Sequence, residues 1–137
     1  MYRVLLAIDE DERRALAQAN AIADIPAVND EITVHLCHVF RDNPEGASVN
    51  QLSAVRRARE RLEAAGVDTV HAEASGDPAE EILALADEID ANVICLSGRK
   101  RTPAGKAVFG SVTQAVIRGS DRPVLAVPRE MESASAE

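Results

Sequence analysis

At 137 residues the chain has room for one domain with a proper core and little more. Its 46% hydrophobic and 28% charged residues are those of a globular protein, and no run approaches the ~20 apolar residues of a membrane helix. A net charge of −8 opposes general binding to nucleic acid. Aromatic residues are nearly absent (Tyr2, Phe40 and Phe109), so the core has to be built from Val, Leu, Ile and Ala.

Arg3–Ile8 is a continuous apolar run, the pattern of a strand buried on both faces. Asp9 or Asp11 is placed to cap a helix over Glu12–Ala23, and Pro26 lies just beyond its end. Ile32–Phe40 reads as a second strand, and Asn43-Pro44 and Gly46 mark a loop over Arg41–Val49. Leu52, Val55, Ala58 and Leu62 recur at helical spacing within Gln51–Ala65, with Gly66 as the C-terminal cap. Val67–Ala74 is a short third strand. Gly76-Asp77-Pro78 opens the next helix, with Asp77 as N-cap, Pro78 at the first position and Glu80 completing a capping box. Asn92–Leu96 is a fourth strand, Ser97–Phe109 a basic Gly-containing loop, Ser111–Arg118 a helix and Val124–Val127 a fifth strand. Residues 1–129 therefore form one domain, and 130–137 have the character of a disordered tail.

Strict β-α alternation predicts a doubly wound α/β fold: an open parallel five-stranded sheet with helices on both faces. Cys37 and Cys95 sit inside apolar runs and read as buried core thiols; His35, His38 and His71 show no metal-ligand spacing with them. With no recognisable secretory signal, the expectation is a reduced, cytoplasmic protein. Only Lys100 and Lys106 are lysines, and this acid-rich, Ala-rich composition suits a high-salt cytoplasm, where carboxylate repulsion is screened.

The charge is unevenly placed. Ala91–Gly119 has no acidic residue and carries Arg99, Lys100, Arg101, Lys106 and Arg118, so against the overall −8 the rest of the chain carries −13. Such a segment points to a local anion site. Ser97, Gly98, Arg99, Lys100 and Arg101 run on toward Gly110, Ser111 and Val112, where a helix N-terminus offers N–H groups and a partial positive charge. The bland alternative is that Ser111 only caps the helix. The spacing is not that of a P-loop: six residues separate Gly98 from Gly105, and Ala107 stands where the metal-binding hydroxyl belongs. No dinucleotide fingerprint and no nucleophile elbow occur. Several roles are open to Asp9 at the tip of the first strand: acceptor for a ribose hydroxyl or adenine amine, helix cap, Mg²⁺ ligand beside a phosphate, or phosphoacceptor. The last would need a second lone Asp at a strand end and a Lys after the fifth strand, and neither is found.

Three segments together resemble the universal stress proteins: Val4–Asp9; Gly76-Asp77-Pro78-Ala79-Glu80-Glu81-Ile82; and Gly110-Ser111-Val112-Thr113 through Arg122-Pro123-Val124-Leu125-Ala126-Val127, with Cys37-His38-Val39 as a further likeness. The resemblance implies strand order 3-2-1-4-5, an adenine nucleotide alpha hydrolase-like fold, and a homodimer paired through the Val124–Val127 edge. It also implies ATP or AMP as ligand, with adenine contacts at Asp9 and Val39 and phosphate contacts at Gly110, Ser111 and Val112. The family signature is Gly, two residues, Gly, nine residues, then Gly-Ser or Gly-Thr. Counting back from Gly110 puts Lys100 and Ser97 at the two earlier glycine positions, with Gly98 and Gly105 out of phase. Side chains there would crowd a phosphate, while Arg99, Lys100 and Arg101 would supply charge in place of backbone contacts. The functions that follow are a nucleotide-binding regulatory protein, with Mg²⁺ as a possible companion and ATP hydrolysis at most slow, or a dimeric protein-interaction module that has lost the nucleotide. An enzyme acting on an anionic metabolite is a minor third.

Overall fold

The computed structural model describes residues 2–25, 31–40, 52–101 and 107–128. The expected loop over Arg41–Val49 and the tail 130–137 lie outside the described residues. The elements are β1 (Tyr2–Ala7), α1 (Glu12–Ala23), β2 (Ile32–Phe40), α2 (Ser53–Ala64), β3 (Asp68–Ser75), α3 (Pro78–Ile89), β4 (Val93–Arg101), β5 (Ala107–Val108), α4 (Ser111–Gly119) and β6 (Val124–Pro128).

Five strands form a parallel sheet in the order β3-β2-β1-β4-β6. This is the expected 3-2-1-4-5 arrangement. The sequence reading is corrected at one place: Ser97–Phe109 is not loop throughout. β4 continues to Arg101, and the two-residue β5 folds back antiparallel onto it, pairing Lys100 with Val108 and Arg101 with Ala107. Gly and basic residues lack apolar alternation, so this extension carries no strand pattern in the sequence; ladder hydrogen bonds make it.

The apolar run of β1 serves two layers. Val4, Leu6 and Ile8 pack with Ala15 and Ile22 of α1 and Val55, Ala58 and Leu62 of α2. Leu5, between them, packs with Ile82 and Leu85 of α3, Ile94 and Leu96 of β4 and Val116 of α4. Alternate side chains of a strand point to opposite faces, so a strand covered on both sides has no polar position to spare.

Helix ends follow local chemistry. Asp11, not Asp9, is the N-cap of α1, and its carboxylate accepts from the N–H groups of Arg13 and Arg14. Asp77 caps α3 by accepting from Glu80 N–H, with Pro78 at the first position. Gly66, at φ 82°, closes α2 with hydrogen bonds from Gly66 N–H to Glu63 and from Val67 N–H to Leu62. Asp90 does the same for α3 at φ 55°, held by Arg122, which bonds both Asp87 and Asp90.

Cys37 and Cys95 are fully buried and free, as expected. Burial pushes the Cys95 thiol up to about 12. Cys37 is pushed up to about 12 by burial first and by the charge of Glu81 second. Thiolate is the reactive form, so neither cysteine should react with a disulfide reagent at pH 8 in the native protein. Both should titrate at once in denaturing urea.

Candidate functional site

In an open α/β sheet the crevice at the carboxyl ends of the strands opens where the chain order reverses. Here that point lies between β1 and β4, and a cavity of about 340 Å³ occupies it. Its walls come from four places: the end of β1 with the start of α1, the end of β2, the start of α3, and the end of β4 with the start of α4.

The α4 wall is the start of the helix, Gly110 to Thr113. Gly110 is the N-cap and brings no side-chain acceptor, so α4 lacks the carboxylate cap that α1 and α3 possess. Ser111 is the first helical residue, exposed, and makes no capping bond, so the alternative in which it only caps the helix does not hold. Thr113 is buried and donates its hydroxyl to the Ser97 carbonyl at 2.8 Å, which ties the helix start to β4. Between them lies Gly98, at φ 136° where β4 breaks register against β6. A Cβ on Gly98 would sit 2.7 Å from Thr113 Oγ1. Gly98 is therefore the close-approach glycine of this wall. Counting at fixed loop length placed it out of phase, because counting cannot see where a bulge falls.

The facing wall carries charge. Asp9 accepts from Asp11 N–H at 2.9 Å through Oδ1 and from Arg14 Nη1 at 2.7 Å through Oδ2. Arg14 Nε lies 3.8 Å from Asp11 Oδ2. The Asp9 and Arg14 side chains are 44% and 31% exposed, so the pair is worth little to stability, under about 1 kcal/mol, but it sets the direction of the carboxylate.

The remaining walls are mostly apolar. Val39 of β2, Ile82 of α3 and Leu96 of β4 line the cavity, with Pro78 at its edge. His38 Nδ1 lies 2.6 Å from the Ile8 carbonyl; a carbonyl only accepts, so Nδ1 carries the proton. Its ring meets Phe40 edge-on, with centroids 4.7 Å apart. Cys37, also on this wall, remains a thiol at neutral pH for the reason given above.

The model of the universal stress protein family matches residues 1–128. The chain belongs to the universal stress protein family. A universal stress protein of Mycolicibacterium smegmatis is 41% identical over 51 residues, which is 37% of this chain and 39% of that protein. Matches to the curated relatives span only 31% to 39% of those proteins' own lengths. Among solved structures, a universal stress protein from Archaeoglobus fulgidus superposes with a TM-score of 0.74 at 25% identity, covering 93% of this chain and 98% of that one. The Archaeoglobus fulgidus universal stress protein in complex with dAMP superposes with a TM-score of 0.70 at 20% identity, over 93% and 98% of the two chains.

In this family member the structure gathers Asp9, Val39, Ser97, Gly98, Gly110, Ser111 and Val112 around one cavity, although they are spread over a hundred positions of the chain. Arg99, Lys100 and Arg101 continue β4. Their side chains, like residues 102–106, lie outside the described residues. The sequence reading missed Arg14, His38, Ile82 and Thr113. Arg14 carried a usable signal: with Asp11 as cap it is the third helical residue, on the turn that starts beside the strand ends.

Proposed function

We propose that this protein binds an adenine nucleotide, ATP or AMP, in the cavity between β1 and β4 and acts as a homodimeric regulatory protein of the cytoplasmic stress response. The nucleoside sits against Asp9 and Val39. The phosphates lie over Gly98 and the first turn of α4, at Gly110, Ser111 and Val112, with the basic side chains of Arg99, Lys100 and Arg101 as further compensation. The carrying observation is the start of α4, without a side-chain cap, lining a cavity with Gly98 beside it: first-turn N–H groups and a helix dipole that no side-chain acceptor satisfies. A volume near 340 Å³ is at the lower end of small-ligand pockets. The Archaeoglobus fulgidus protein that shares the fold holds dAMP, which supports the same class of ligand here.

Among the described residues no group of three or more His, Cys, Asp or Glu side chains is placed to hold a metal ion. Mg²⁺ would enter with a triphosphate. Binding, with at most slow hydrolysis, is the proposed activity. Titration calorimetry with AMP and ATP, each with and without Mg²⁺, should give heat and a raised melting temperature. Ligand at a hundred times its dissociation constant stabilises by about 2.7 kcal/mol. Absence of both signals at millimolar nucleotide overturns the reading in favour of a dimeric interaction module.

The dimer rests on β6. Among the described residues β6 has one ladder partner, β4, and Leu125 on it is 37% exposed. An apolar edge of this kind pairs or aggregates. Light scattering at micromolar concentration should report twice the chain mass for the wild type, and a monomer for Leu125→Lys. A monomeric wild type contradicts the proposal.

A further inference from the structure

Resting on the nucleotide reading above, we propose that Arg14 is a positioning residue that lets Asp9 read the ribose hydroxyls. An ionised carboxylate has about four acceptor positions, two on each oxygen. In Asp9 one position on Oδ1 is taken by Asp11 N–H and one on Oδ2 by Arg14 Nη1. One acceptor position remains on each oxygen, and both residues line the cavity. Two adjacent acceptors match two adjacent donors, which is the cis-diol of a ribonucleotide.

The Asp side chain does not hold this orientation unaided. Its terminal torsion is broad, without the sharp staggered wells of saturated carbon. Asp11 N–H pins one oxygen only, and the Arg14 guanidinium pins the other. The Arg14 backbone N–H bonds Asp11, and its buried Nε, without a hydrogen-bond partner, lies 3.8 Å from the same carboxylate. The Asp9–Arg14–Asp11 arrangement thus couples the cap of α1 to the direction of the ligand-facing carboxylate. Arg14 acts through Asp9 Oδ2, so its effect should appear with ligands that carry the hydroxyl meeting that oxygen and vanish for the deoxy ligand that lacks it.

The test compares AMP, 2′-deoxy-AMP and 3′-deoxy-AMP on the full chain, as wild type, Arg14→Met, Arg14→Ala and Arg14→Lys. Wild type should prefer AMP over either deoxy ligand by roughly tenfold, the worth of a hydrogen bond to a charged acceptor. Arg14→Met, which keeps the apolar stem, should lose the preference over the deoxy ligand that lacks the hydroxyl meeting Oδ2, by weakening AMP and leaving that ligand unchanged; Arg14→Ala should do the same. Arg14→Lys, which still offers a charged donor, should restore part of it. The inference is overturned if wild type binds all three equally, or if the variants weaken or strengthen all three together with the ratio intact. Failure of wild type to bind any of them is a different result: it removes the nucleotide reading, and this inference with it.

Discussion

Gly98→Ala should melt roughly 10 °C below wild type and bind nucleotide far more weakly. Two costs act at one atom. Gly98 has φ 136°, a conformation that residues with a Cβ rarely adopt, and holding one there costs about 1–3 kcal/mol. The new methyl would also lie 2.7 Å from Thr113 Oγ1, closer than any relaxed contact. To make room, Thr113 must give up its bond to the Ser97 carbonyl, worth about 1 kcal/mol. The total of about 2–4 kcal/mol converts to the stated shift for a chain of this length. Binding is lost by the same movement, because Thr113 fixes the first turn of α4 against the end of β4. Thermal melts of Gly98→Ala, Thr113→Ala and the double variant check the mechanism. The double variant should be less unstable than the two single costs added, since removing Oγ1 removes the clash. A Gly98→Ala midpoint within about 2 °C of wild type would refute the account of this wall.

The second large effect has opposite signs in the free and bound protein. Ser111 is exposed at the first position of α4, and no side chain caps that end. Ser111→Glu places a negative charge where the helix dipole favours one, so the free protein should gain about 0.3–1 kcal/mol and melt slightly higher. The same carboxylate occupies the ground proposed for the phosphates and repels them. Affinity for AMP and ATP should fall about 100-fold, the loss of one charge-assisted hydrogen bond plus like-charge repulsion at contact distance. Melting with and without nucleotide reads both signs in one experiment. A variant that is stabilised and still binds normally would show that the phosphates lie elsewhere.

Both effects act on features of unequal legibility. The uncapped α4 start was readable as Gly110-Ser111-Val112, apart from which of the two leading residues is the cap. The exchange of Ser111 for Gly110 as cap matters chemically, since a glycine cap leaves the first-turn N–H groups open to a ligand. Gly98 was legible as part of the anion-binding loop but out of phase with the family's glycine spacing. Its role depends on a register break between β4 and β6 and on Thr113, fifteen positions later, meeting it in space. Arg14 was hidden for a related reason: an arginine in the first turn of a helix reads as a solvated surface residue until the strand end beside it is located.

What the sequence determined by itself is the order and kind of elements. Apolar runs such as Val4–Ile8, the cap Asp77-Pro78, and Gly66 act within a few residues, through side-chain alternation and backbone hydrogen bonds that any tertiary setting would respect. What only the tertiary structure decided is the continuation of β4 to Arg101, the bulge at Gly98 and the clamp of Arg14 on Asp9. Each of these is settled by packing and hydrogen bonds between segments far apart in the chain, and such pairings leave no periodic trace along it.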